Sequence, residues 1–257
     1  MDNHTVNNMF YLNAFAGETR LKGFFFVLFL IIYLITVIGN MFIFILTNFD
    51  FHLQTPMYFF LKNLSILDIC YTSTTLPQML VNFLIEHFAI SLPACIIQLY
   101  FLLSLGASES SFLATMAYDR YFAICNPLRY SAIMSQDVCT HMVVGTWVVG
   151  SVYGAIHTAN TFRLPFCGPK ILNHYFCDIP PLLKISCMNT YINEVTVFAV
   201  GGFLMIGCFI LIYKEWLLSI FYTSITPLLN PIIYSLRNKD IRGALFFLMS
   251  QREAICK

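Results

Sequence analysis

Asp119 and Arg120 stand side by side at the end of an apolar run, with a break at Pro127 and a further cation, Arg129, close behind. Charges at membrane depth are costly and are usually paired or functional. The plain alternative is a charged helix end that has reached the lipid headgroups. Two carboxylates lie deeper. Asp68 falls mid-way along one apolar run, and Glu109 lies three helical turns before Arg120 on the next. A carboxylate in such a place needs a partner, a cation or a proton. Two close carboxylates repel when both are ionised, so one of this pair is expected to hold a proton. Proton relay would suit them, but no nucleophile or metal-ligand set accompanies them. Three cysteines, Cys167, Cys177 and Cys187, follow at ten-residue steps, and Cys95 makes a fourth. Four thiols allow three pairings, and an oxidising lumen favours bonding. His174, among aromatics, is read as a packing or hydrogen-bonding residue rather than a metal ligand.

The elements that must carry these residues follow from composition. The chain has 257 residues, 58% hydrophobic, 16% aromatic and 11% charged, with a mean hydropathy of +0.74. Soluble domains carry roughly 25% charged residues, so this chain cannot cover a water-facing surface and reads as a polytopic membrane protein. The formal charge of +1 gives no argument for nucleic acid. There is no Gly-rich phosphate loop, no C-x-x-C pair and no H-E-x-x-H, so an enzyme is not expected and no cofactor is implied. Nine cysteines leave at least one unpaired or shared between chains.

Apolar runs predict spans over about 23–46, 56–80, 93–118, 138–159, 195–213 and 216–236, an all-α bundle of six transmembrane helices in one domain. Residues 1–22 are a polar N-terminal segment without a signal-peptide core, 81–92 a short loop, 160–194 a long cysteine-bearing loop and 237–257 a tail. Cys95 and Arg120 are 25 residues apart, about 37 Å along a helix, enough to join the two membrane faces. Asn3-His4-Thr5 is a glycosylation sequon; Asn63-Leu64-Ser65 falls at or inside a span and is expected to be silent.

Three long strings carry a family resemblance. Met116–Tyr130 (MAYDRYFAICNPLRY), residues 56–80 (PMYFFLKNLSILDICYTSTTLPQML) and PLLNPIIYSLRNKDIRGAL near the C-terminus closely resemble the signatures of odorant (olfactory) receptors, a branch of the rhodopsin-like G-protein-coupled receptors. Gly39-Asn40 and Trp147 match the family's first and fourth helices.

The resemblance implies a role for most of the residues above. Asp119, Arg120 and Tyr121 would be the cytosolic switch, with Tyr234 of Asn230-Pro231-Ile232-Ile233-Tyr234 pointing toward Arg120. Asn40, Asp68, Glu109 and Asn230 would surround a small polar cavity able to hold sodium at Asp68 and Glu109 or to share a proton. The implied disulfides are Cys95–Cys177, which would pin the long loop over the mouth of the bundle, and Cys167–Cys187. A small, mainly apolar odorant would sit beneath that loop against Leu102, Leu103, Gly106, Ala107, Leu204 and Thr223, although a leucine face at this spacing also suits ordinary bundle core. Asn3 would carry the glycan of an extracellular N-terminus. The implied partners are a volatile ligand, membrane lipid and a stimulatory heterotrimeric G protein, and the implied place is the plasma membrane.

One departure is plain. A receptor of this family has seven spans, and the third cytosolic loop and sixth helix are missing between Tyr213 and Lys214. Six crossings from an outside N-terminus would also translocate Arg237, Lys239, Arg242, Arg252 and Lys257, against the positive-inside tendency. The alternative expectation is therefore a non-signalling membrane protein of the same family, retained in the endoplasmic reticulum or paired with intact receptors.

Overall fold

The computed structural model describes residues 9–12, 19–50, 55–85, 88–125, 128–167, 169–172 and 174–212, without the side chains of 19, 20, 88, 121, 124, 125 and 203–212. The expected span 216–236 lies outside the described residues, as do the tail, Asn3, Thr223, Asn230, Tyr234 and the side chains of Tyr121 and Leu204.

Five long helices form the body: α1 (Thr19–Phe49), α2 (Pro56–Leu84), α3 (Leu92–Cys125), α5 (Gln136–Phe162) and α7 (Tyr191–Ile212), with short helices α4 (Tyr130–Ile133) and α6 (Ile179–Lys184) in the connections. Their starts are chemical. Pro56 opens α2, where a missing N–H costs nothing. Ser135 caps α5 by accepting from the Val138 amide, and Asp137 in the first turn complements the helix dipole. Asp178 accepts from the Ile179 amide at 2.8 Å to start α6. Asn189 accepts from the Tyr191 amide at 2.9 Å just before α7.

Among the described residues, three segments are long and apolar enough to cross a membrane: Leu21–Phe49, Leu92–Arg120 and Gln136–Phe162. Much of their exposed surface is apolar, as lipid requires; Val144, Val148, Val152 and Ile156 form one such outward stripe on α5. α1 begins two residues before its apolar segment and α3 runs five residues past its own. α3 has 34 residues, about 51 Å at 1.5 Å each, longer than the roughly 30 Å hydrocarbon core, so its ends project.

The all-α expectation needs one correction. A three-stranded sheet, ordered β2-β1-β3, sits over one end of the bundle. Its central strand β1 (Met9–Leu12) comes from the segment read as a polar tail. β2 (Phe88–Ser91) comes from the stretch read as a loop, and β3 (Ile171–Leu172) from the long cysteine-bearing loop. β1 pairs antiparallel with β2, Met9 opposite Ser91, and parallel with β3, Leu12 opposite Leu172. The side chains of β1 alternate with the period of a strand: Phe10 and Leu12 are buried, Met9 and Tyr11 exposed.

The tightest seam joins α3 to α5. A Cβ on Gly154 would lie 2.8 Å from Ser104 Cβ and 2.9 Å from the Tyr100 carbonyl oxygen. A Cβ on Gly150 would overlap Ser108 Oγ and the Ser104 carbonyl oxygen. Gly150 and Gly154, four apart, face Ser104 and Ser108, also four apart. This is the small-residue packing by which helices approach closely in lipid.

Candidate functional site

At the sheet-covered end the long loop is bound down at several points. Cys95, in the first turn of α3, is disulfide-bonded to Cys177 of the loop, with Cα atoms 5.5 Å apart. Cys167 and Cys187, also 5.5 Å apart, close a second bond within the loop. Gln98, one turn below Cys95, is a polar hub. Its Oε1 accepts from the Cys177 amide at 3.0 Å, while its Nε2 donates to the Thr74 carbonyl at 2.9 Å and to Gln78 Oε1. Asn82 at the end of α2 donates to the Tyr175 carbonyl at 2.6 Å. Burial pushes the Tyr175 hydroxyl pKa above the ordinary tyrosine range.

Beneath this lid lies one apolar core. Phe10, Leu12, Ile90, Leu172, Ile179 and Leu182 from the sheet and loop pack with Cys95, Leu99 and Leu102 of α3. Of the residues expected to line a ligand site, Leu102 belongs to this core and Leu103 packs against it together with Val197 of α7. Gly106, one turn deeper, faces the Tyr71 ring, which a Cβ there would meet at 3.6 Å. Ala107 is buried.

Deeper still are the carboxylates. Asp68 is fully buried on α2 and Glu109 nearly so on α3, and the two interact electrostatically across the α2–α3 seam. Asn40 is buried on α1, its Nδ2 donating to the Thr36 carbonyl at 3.1 Å. Among the described residues no three His, Cys, Asp or Glu side chains gather as a metal group.

At the other end of α3, Asp119 is buried beside half-buried Arg120. The Tyr130 hydroxyl, in the first residue of α4, donates to Asp119 Oδ1 at 2.7 Å. Burial first, then this hydrogen bond and the Asp119 charge, push the Tyr130 hydroxyl pKa above the ordinary tyrosine range, so it remains a donor. Tyr130 closes the string Met116–Tyr130, yet reading that string for its charges passed over it. Gln98, Asn82 and the Gly150–Gly154 pair act through partners on other elements, and Tyr130 acts through Asp119 across the Pro127 break, so their types alone do not mark them. The glycine spacing G-x-x-x-G was the one signal that could have been read in advance.

The family model describing olfactory receptors matches residues 29–213. Olfactory receptor 5M5 of Mus musculus is 38% identical over 309 residues, covering 99% of this chain and 97% of that receptor. Olfactory receptor 5I1 of Homo sapiens and the olfactory receptor-like protein OLF1 of Canis lupus familiaris are each 38% identical over 296 residues, covering 94% of this chain and 94% and 95% of theirs. The alignment with the mouse protein has 309 positions and this chain has 257 residues, so about 50 positions of the relative face no residue here, although the match covers nearly the whole of both. The family match stops at Tyr213.

Proposed function

The chain belongs to the olfactory receptor family, a family of receptors rather than enzymes, and we propose that it is a single-domain, multi-pass plasma-membrane receptor for small, mainly apolar volatile ligands. The ligand sits in the lid-covered half of the bundle, against Leu102, Leu103, Gly106 and Ala107, with Leu204 and Thr223 completing the site. The observation that carries this reading is the lid, a sheet-and-loop roof joined to α3 by the Cys95–Cys177 bond and resting on Leu102. Such a roof shields an apolar site from water, and apolar sites with few polar groups suit small volatile ligands.

Signalling passes to a stimulatory heterotrimeric G protein at the opposite end. Asp119, Arg120 and Tyr121 form the switch there, with Tyr234 reaching it from the Asn230–Tyr234 segment. Asp68 and Glu109, with Asn40 and Asn230, form the polar interior, which holds sodium or shares one proton. Asn3 carries a glycan on an outside N-terminus. Five described long helices and the run 216–236 make six crossings.

The missing positions favour a second reading. A ligand acts only by biasing two states of the protein, and the absent segment includes the expected sixth helix. A chain without it is a non-signalling family member, retained in the endoplasmic reticulum or paired with intact receptors. The deciding experiment tags Met1 and Lys257, stains intact and permeabilised cells, and measures cyclic AMP over an odorant panel. An odorant response that Arg120→Ala abolishes, with the N-terminal tag outside and the C-terminal tag inside, supports the receptor. Both tags outside, or a core-glycosylated and silent intracellular product, sinks signalling in favour of the second reading.

A further inference from the structure

His157 on α5 has 1% of its surface exposed, and neither ring nitrogen has a hydrogen-bond partner. The hydroxyl of adjacent Thr158 is buried without a partner as well. A neutral imidazole carries one donor and one acceptor, and leaving buried polar groups unmade is the costly outcome, not the neutral one. In water such a residue would be unremarkable. In a lipid-embedded bundle there is no bulk solvent to compensate it.

The location gives the imidazole a use. His157 lies one turn lidward of Gly154, whose close contacts are Tyr100 and Ser104 of α3, so it stands at the level of the lid core. Tyr153, one turn below, packs its ring against the imidazole, centroids 4.3 Å apart. The Tyr153 hydroxyl reaches α7 at Gly201, where a Cβ would lie 3.1 Å from it. Nearby, Asn193 of α7 donates to the Asn160 carbonyl of α5 at 2.9 Å, fixing the two helices together at this height. The imidazole is thus held close to the junction of α3, α5 and α7.

We propose that His157 is the polar anchor of the ligand site, donating a hydrogen bond to the oxygen of an alcohol, aldehyde or ketone and so selecting oxygenated volatiles over hydrocarbons of the same skeleton. This rests on the odorant-binding reading above.

The test uses the full chain purified in detergent and reads ligand-induced shifts in thermal unfolding, which need no G protein. The probes are six- to ten-carbon alcohols, aldehydes and ketones, each paired with the alkane of the same skeleton. His157→Phe keeps a ring and removes the polar atoms; His157→Gln restores a donor. The expected result is that oxygenated probes bind His157→Phe about 3–10-fold more weakly, the worth of one neutral hydrogen bond, and regain most of that in His157→Gln, while alkanes are unchanged. Ligand-free His157→Phe is also expected to unfold no lower than the parent, because an unpartnered polar group has been removed. Equal effects on alkanes and oxygenated probes overturn the proposal, as does a ligand-free His157→Phe that unfolds markedly lower, since that would reveal an internal partner. If no probe binds the parent chain, the odorant-binding reading fails and this inference falls with it; if probes bind but ignore His157, only this inference falls.

Discussion

Replacing Gly150 by alanine tests the α3–α5 seam on which both ends of the bundle depend. The added methyl would overlap Ser108 Oγ and the Ser104 carbonyl oxygen and would sit 2.9 Å from the Ser108 amide nitrogen. Two of these three atoms are backbone, so rotating one side chain cannot relieve the clash. Ordinary contact begins at about 3.5 Å, so the helices must part by more than half an ångström. A gap of 0.5–1 Å forfeits about a quarter to a half of each dispersion contact along the seam, and overpacking of this kind costs about 1–3 kcal/mol. For a chain of this size that lowers the midpoint of thermal unfolding by about 2–10 °C. Gly145 on the same helix is the internal control. A Cβ there meets nothing within 4 Å, so Gly145→Ala gains up to about 1 kcal/mol of helix propensity and is expected to hold or raise the midpoint. The assay is thermal unfolding of the purified variants in one detergent, with surface delivery in cells as the second readout. Ser108→Ala in the Gly150→Ala background is expected to restore only part of the loss, because the Ser104 carbonyl remains. If Gly150→Ala and Gly145→Ala unfold alike, the helices do not approach this closely and the reasoning is wrong.

Three further outcomes are expected. Cys95→Ser removes a bond closing 82 residues and Cys167→Ser one closing 20. Chain entropy alone assigns these about 4.5 and 3.3 kcal/mol, so Cys95→Ser is expected to lose more surface protein, read by flow cytometry. Phe10→Ala in β1 removes a side chain that is 1% exposed; hydrogen exchange is expected to accelerate at Ile90 and Ile171 while α5 is unaffected, and equal acceleration in both would mean the sheet is not a separate unit. The raised Tyr130 pKa means that the folded state favours the protonated phenol. Its contribution is present below the ordinary value near 10 and is lost as pH rises through the folded value. Tyrosinate absorbance missing in Tyr130→Phe should therefore appear later than the bulk of the titration; if it appears with the bulk, the hydroxyl is not held by Asp119.

Much of the body was legible because uninterrupted apolar runs have one meaning at this length. Among the described residues, the runs for α1, α3 and α5 are long and apolar enough to cross a membrane. α2 and α7 also fold as helices, although Asp68, Lys62 and Gln78 dilute the apolar signal of α2. Boundaries drifted outward because a helix persists through polar turns once its apolar face is packed; α2 continues four residues past the expected end, to Leu84. The sheet was illegible for a different reason. Met9–Leu12 is too short for its alternation to stand out, and its pairing partners lie far along the chain. The disulfide pairing could be reached only through resemblance, since spacing leaves three choices. Residues such as Gln98 and His157 break no pattern in sequence, and their importance appears only when the atoms around them are known.

The two ends of the molecule differ in what they require, and that separates binding from signalling. Among the described residues the lid is assembled from β1, β2, the long loop and the outer turns of α2 and α3. None of the disulfide, Gln98 or Asn82 contacts that bind it down needs the positions that this chain lacks relative to its relatives. The roof over the proposed ligand site is therefore present. The switch is not in the same position. Asp119 and Tyr130 are held to each other within one continuous segment, but coupling requires an element that moves against them, and coupling is a difference between two global states rather than a property of one site. In the second reading proposed above, the roughly 50 positions of the mouse relative that face no residue here include that moving element, while Asp119 and Tyr130 stay held to each other. On that reading the chain keeps ligand affinity and loses its response, so affinity measured on purified protein and response measured in cells are independent tests of the two proposals.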